Sequence, residues 1–440
     1  MTLAGALLTL FFCASVALLS RRLAALGMVA ATLYITQGQE VDLTGLNFMA
    51  IRFVEVAAFF RILSRQELSA VRFTRVDRWL IIFFITYVGM LSLRTGVLDT
   101  YALGGAVDAW LVFFIFRALI ITPEEFKQFM HGMVFLLVPY AILMTIEATR
   151  AYNLFSLMGG VPAVPEFREG HYRCQGGFRC AITAGTLGST FLPLFIGFLF
   201  QRENRWWAIT GITASIAILL ASHSSGPLMA AFIAFAAWGC WFVRRRMTFV
   251  RKGIVGTLFA LNMMMSAPVW FIFDRLSGIF GGDGWHRSNL IDKFIKHFNE
   301  WWFAGMPMEN TADWAATKTP WGSVDVTNYY VSVGLNGGLI PFVFFIVVIV
   351  QCFKLVGRGL EAVRAQNFKN NHLEAMIWGA GSAVCAHVVN MTAVIYWDQS
   401  YVIWYLQLAL ATSLGQFALS HLPVQQKDHV PVMEPEGVVS

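Results

Sequence analysis

The chain has 440 residues, of which 57% are hydrophobic, 15% aromatic and only 13% charged, with a formal net charge of +6. Soluble domains carry about a quarter charged residues, so this composition, with its mean hydropathy of +0.61, excludes one. Apolar runs of about seventeen or more residues recur along the chain without period-two alternation, which excludes a membrane β-barrel and predicts an all-α, polytopic helical bundle.

The first segment, "MTLAGALLTLFFCASVALLS", lacks a basic n-region and an A-x-A-like site, and reads as a membrane helix rather than a cleaved leader. Spanning helices are predicted next near 23–36, 47–63, 79–96, 103–121 and 129–147, closing an N-terminal group over residues 1–147. A polar stretch, 148–184, precedes helices near 185–201, 206–222, 227–243 and 253–273, a central group over 185–273. A second polar stretch, 274–330, precedes helices near 331–352, 376–395 and 400–419, a C-terminal group over 331–420. The segment at 23–36 is short, so the expected count is twelve or thirteen. Residues 421–440 are polar and contain proline, and read as a disordered cytoplasmic tail.

Charge sorts the connections. "RILSRQELSAVRFTRVDR" (61–78), "RRRMTFVRK" (244–252) and "KLVGRGLEAVRAQNFK" (354–369) are rich in Arg and Lys, which places them in the cytoplasm. The net positive charge is therefore read as orientation and not as a nucleic-acid signal. Alternation puts residues 148–184 and 274–330 outside, together with the turn "HSSGP" (223–227) between two apolar runs. Connections beyond about fifteen residues are usually functional or disordered, and these two are not low-complexity. Cys13, Cys240, Cys352 and Cys385 fall in apolar segments, where a thiol acts as a small hydrophobe. Cys174 and Cys180 share the first outer loop, where a disulfide is permitted but not required.

The outer loops carry the candidate chemistry. "FREGHYRCQGGFRC" concentrates Arg168, His171, Arg173 and Arg179 among glycines. Basic residues are unexpected on an outer face unless they meet an anion, and the Arg fork matches phosphate oxygens. The competing explanation is contact with lipid headgroups or with Glu166 and Glu169. "WHRSNLIDKFIKHFNEWWFAG" (285–305) predicts an amphipathic helix, with Leu290, Phe294, Ile295 and Phe298 at helical spacing. Trp285, Trp301, Trp302, Trp314 and Trp321 cluster in this second loop, suited either to the membrane interface or to stacking on sugar rings. His223, His286 and His297 lie on the same face, whereas His387 falls inside a predicted helix, where an ionisable residue is functional or hydrogen-bonded to a neighbour. Adjacent His223 and Ser224 make a poor base and nucleophile pair, and a turn donating to a bound headgroup suits them better. There is no Walker loop, no G-x-G-x-x-G after a strand, no H-E-x-x-H and no D-x-D.

The order of these features resembles the O-antigen ligase and Wzy-type polysaccharide polymerase superfamily of bacterial inner membranes. The resemblance spans residues 160–345 and rests on "YRCQGGFRCAITAGTLGSTFLPL", "LLASHSSGPLMAA", "HRSNLIDKFIKHFNEWWFAG" and "VTNYYVSVGLNGGLIPF". It implies a glycan polymerase, periplasmic in its active face and multi-pass in the inner membrane. Its donor would be an undecaprenyl-diphosphate-linked glycan, used without metal or other cofactor, and its partners a glycan acceptor, the bilayer and a chain-length regulator. Carried over by position, Arg173 or Arg179 and Arg287 would grip the diphosphate, with Arg287, Asp325 and Asn328 as catalytic candidates. His223, Ser224, Trp285, His286, Trp321 and Tyr329 would complete the substrate site. Three departures stand out: Thr327-Asn328 replaces the family's His-Asn, Asn336 replaces a Glu, and Ser224-Ser225-Gly226 replaces Ser-Arg-Gly. Asp325 is the candidate substitute for the missing His as base, with His286 or His297 as others. A ligase is the rival reading within the family, a flippase or other transporter the rival outside it, and a multi-pass acyltransferase lacks an assignable His/acid pair.

Overall fold

The computed structural model describes residues 1–43, 46–314, 319, 322–366 and 371–421. Its first helices are α1 (Leu3–Leu18), α2 (Arg21–Tyr34), α3 (Ala50–Ser64), α4 (Arg75–Thr95), α5 (Thr100–Leu119) and α6 (Pro123–Arg150). Next come α7 (Ala181–Phe198), α8 (Arg205–Ala221), α9 (Ser225–Gly239), α10 (Met247–Met264), α11 (Ile272–Phe280), α12 (Gly284–Lys296) and α13 (Phe298–Trp301). The last are α14 (Tyr329–Gly337), α15 (Leu339–Ala365), α16 (Asn371–Asn390) and α17 (Ser400–His421). Two antiparallel hairpins, β1 (Glu40–Leu43) with β2 (Leu46–Met49) and β3 (Glu166–Arg168) with β4 (His171–Arg173), are the strands described. Among the described residues, seven helical stretches are long and apolar enough to cross a membrane, and the chain is an all-helical membrane protein.

Local chemistry sets where the helices start. Thr74 and Asp77 form a capping box on α4, Thr122 and Glu125 form another on α6, and Asp99 caps α5 through the Ala102 amide. The centre of the bundle is α7 and α17, whose apolar windows are 89% and 83% buried. By contrast α10 buries no residue at all. The C-terminal tail expected over 421–440 lies outside the described residues from 422 onward.

Side-chain bonds gather the connections at two poles. At one, Arg61 bonds the Leu19 carbonyl at 2.6 Å, Arg117 pairs with Asp77 at 3.3 Å, and Arg244 and Arg364 share Glu374 at 3.0 and 2.6 Å. Glu374 joins the second and third basic stretches, and Arg75 of the first lines a pocket with Lys354 and Arg358 of the third, so all three share one end. At the other pole, Gln399 donates to the Ile35 carbonyl at 3.0 Å, the Cys174 amide donates to Ala221 at 3.1 Å, and the Tyr329 amide donates to Met391 at 2.8 Å. The two long polar stretches therefore sit together, opposite the basic end.

Three expectations change. The helix expected over 331–352 is two, α14 and α15, parted at Gly338 (φ 81°), where a Cβ would stand 2.5 Å from the Phe303 carbonyl oxygen. The amphipathic helix expected over 285–305 stops at Lys296, and α13 follows after a kink at His297 (φ −92°, ψ 24°). Its apolar stripe divides: Leu290 and Phe294 are buried, whereas Ile295 and Phe298 are exposed. All six cysteines are free, so Cys174 and Cys180 are not bridged: the Cys180 thiol meets the Thr183 hydroxyl instead, and Cys174 is buried.

Candidate functional site

At the pole opposite the basic stretches lies an open cavity of about 340 Å³, large enough for a diphosphate and part of a sugar. Its walls come from segments far apart in sequence. The β3–β4 hairpin supplies Arg168, Glu169 and Arg173. Its two-residue turn is Glu169-Gly170, with φ of 55° and 82°, the left-handed pair that matches strand twist in a tight hairpin. Arg173 pairs with Glu166 at 2.7 Å and donates to the Ser224 hydroxyl at 3.2 Å, which ties the hairpin to the turn between α8 and α9.

That turn holds His223 at φ 40°, a conformation that costs a non-glycine residue about 1–3 kcal/mol. The His223 ring stacks flat on His171, with centroids 4.5 Å apart and planes at 4°. Ser225, the first residue of α9, accepts a hydrogen bond from Arg287 Nη2 at 3.1 Å. The opposite wall starts with Gly281 and Gly282, both at positive φ, and Asp283, which caps α12 by accepting from the His286 amide at 2.8 Å. His286 Nε2 donates to the Asp325 main-chain carbonyl at 2.8 Å, fixing the segment that leads into α14.

The electrostatics turn on Arg287. Arg168, Arg173 and Arg287 line one cavity together with Glu169, Asp283 and Asp325, and Arg287 has no carboxylate within ion-pair distance among the described residues. Burial lowers the Arg287 pKa from its ordinary value; Asp283 opposes this, and Arg168 and Arg173 add to it. The guanidinium stays charged, so it is a partly desolvated cation among cations. The beginnings of four helices also line the cavity: Ile182 of α7, Ser225 of α9, Asp283 ahead of α12 and Thr327 ahead of α14. Helix N-termini carry partial positive charge and unpaired amides, which suit an anion. The Thr327 hydroxyl is buried at this wall and has no hydrogen-bond partner among the described residues. Among the described residues no group of three or more His, Cys, Asp or Glu stands ready to hold a metal.

Of the residues singled out from sequence, Arg173, His223, His286, Arg287 and Asp325 come together here. Ser224 lies buried just behind, bonded to Arg173. Four others do not line the cavity. Arg179 is exposed, paired with Asp398 at 3.2 Å and stacked 4.6 Å over the Trp397 ring. Asn328 is buried and spends its side-chain oxygen capping α14, accepting from Tyr330 and Val331 amides at 3.0 and 3.2 Å. Tyr329 packs against Phe345 and Tyr396. Trp285 is half-exposed, and Trp321 lies outside the described residues.

Trp301 and Trp314 are buried with Leu290 and Phe294 in a small core of the second long polar segment, so they build that segment rather than face a ligand. His387 is buried in the bundle, hydrogen-bonded to the Tyr396 hydroxyl at 2.7 Å. Sequence reasoning missed Asp283 and the Gly281-Gly282 pair, and named Ser225 only as part of the turn. The signal was present in "GGDG", two glycines followed by an Asp at a helix start.

No family model matches the chain, and no curated protein matches it.

Proposed function

We propose that this protein is a glycan polymerase of the cytoplasmic membrane, joining repeat units delivered on a polyprenyl diphosphate at the outer face. The observation that carries the reading is Arg287: a charged, partly buried guanidinium beside Arg168 and Arg173, open to a cavity and without a carboxylate of its own. A diphosphate leaving group develops negative charge as the glycosidic carbon departs, and fixed cations stabilise that charge without reorganising. Fixing the donor's diphosphate in the cavity, with its open mouth left to the acceptor, supplies orientation, worth several kcal/mol in well-positioned reactions. The basic stretches at the far pole support a cytoplasmic placement for that end and an outward one for the cavity. The helices alternate between the poles thirteen times if every apolar helix spans, which puts the N-terminus on the cavity side. The cavity that gathers Arg168, Arg173 and Arg287 lies at one pole, whereas a transporter's site is expected at the bundle midplane.

The test is Arg287→Ala in cells lacking the native gene. A well-inserted variant that makes no polymer supports the diphosphate grip; normal polymer from that variant overturns it.

A further inference from the structure

The cavity needs a group that takes a proton from an attacking hydroxyl, and its lining offers several. Glu169 pairs with Arg168 at 3.4 Å, Asp283 is engaged as the cap of α12, and His286 donates its Nε2 proton to the Asp325 carbonyl. The Asp325 side chain would carry its negative charge into a site built to hold an anion, which opposes donor binding. His223 differs from all of these. No hydrogen bond holds either of its ring nitrogens among the described residues, its ring lines the cavity, and its backbone stands at φ 40°. A strained, non-glycine backbone that aims an unengaged imidazole into a cavity is the kind of outlier from which a functional role is inferred.

Resting on the glycosyl-transfer reading, we infer that His223 is the general base of the reaction, and that His171 positions it by stacking. The acceptor hydroxyl oxygen forms the new bond to the anomeric carbon. The bond from that carbon to the diphosphate breaks, its electron pair leaving with the polyprenyl diphosphate. The hydroxyl proton passes to a free ring nitrogen of His223, and from there to water at the open mouth, because His223 is exposed.

The surroundings support a neutral imidazole. The charged groups that face the same cavity are Arg168 and Arg173 on the hairpin and Arg287 on α12, with Glu169, Asp283 and Asp325, three of each sign. Burial, and then His171, hold the His223 pKa below the ordinary value of 6.5. The ring is therefore in its basic form at neutral pH, and becomes inactive as pH falls through its lowered pKa.

The experiment uses the full chain in liposomes, with the lipid-linked glycans extracted from cells lacking the gene as substrate. His223→Gly suits the left-handed backbone and removes only the ring. It should lower kcat about 100-fold or more while leaving polyprenyl diphosphate binding intact, and added imidazole should restore part of the rate. His171→Phe should retain stacking without the neighbouring charge, so the acid limb of the pH profile should move to higher pH. A His223→Gly protein of wild-type rate, or one that imidazole does not rescue, overturns this assignment while leaving the function standing. A wild-type protein that leaves the glycans unjoined overturns the function, and this assignment with it.

Discussion

Arg287 and Arg173 show how partners decide what an arginine can do. Arg173 is neutralised by Glu166 at 2.7 Å, whereas Arg287 bonds the Ser225 hydroxyl and has no ion-pair partner among the described residues. Glu166 is more than half exposed, so its pair with Arg173 contributes little to stability, about 0–1 kcal/mol. Glu166→Gln should therefore leave thermal unfolding almost unchanged and tighten binding of polyprenyl diphosphate, measured on purified protein by ligand titration. Weaker binding would mean that Glu166 orders Arg173 for the ligand and does not compete with it. Gly226 makes a second residue-scale test. A Cβ there would stand 2.9 Å from Ala393 Cβ and 4.0 Å from Arg287 Nη2, at the start of α9. Gly226→Ala should force α9 away from the loop after α16 and reduce activity more than it reduces stability. At this scale the sequence exposed the arginines, because Arg in a stretch expected to lie outside is anomalous by itself. It did not separate Arg179 from Arg173, since both sit in one Gly-rich stretch and only the fold gives Arg179 to Asp398.

Helix boundaries explain why some residues that look catalytic are structural. Asn328 stands where the family resemblance places a functional residue, yet its geometry is that of an N-cap on α14. Asn328→Asp keeps a capping oxygen and should keep activity, whereas Asn328→Ala should lose about 1 kcal/mol of stability. Both can be followed by thermal unfolding in detergent alongside polymer formation; an inactive Asn328→Asp protein that unfolds normally would return Asn328 to the chemistry. The break at Gly338 is marked in sequence only by Asn336-Gly337-Gly338 and Pro341 in a mostly apolar run, and periodicity cannot reveal a joint forced by the Phe303 carbonyl. Likewise the β3–β4 hairpin rests on a two-residue Glu-Gly turn, a short local signal inside a stretch dominated by Arg and Gly. The long apolar helices were legible because burial in lipid demands length and composition, both of which are visible in sequence.

The molecule as a whole is polarised: basic stretches at one pole, an anion-suited cavity at the other. This polarity predicts opposite-side labelling. In a background without native cysteines, Phe167→Cys near the cavity and Phe242→Cys near the basic pole should react with impermeant thiol reagents from opposite sides of the membrane; both residues are well exposed. Reaction from one side only would contradict the two-pole arrangement. The basic stretches were readable from Arg and Lys counts alone, but the cavity was not, because it assembles residues from 168 to 327 that only tertiary packing brings together. The most direct test of the central claim is to extract and size the lipid-linked glycans of cells lacking this gene beside those of wild type. Single repeat units accumulating on the outward-facing carrier are the predicted result. Units trapped on the cytoplasmic face, or full-length polymer stranded on the carrier, would contradict it, the first pointing to a transporter and the second to a ligase.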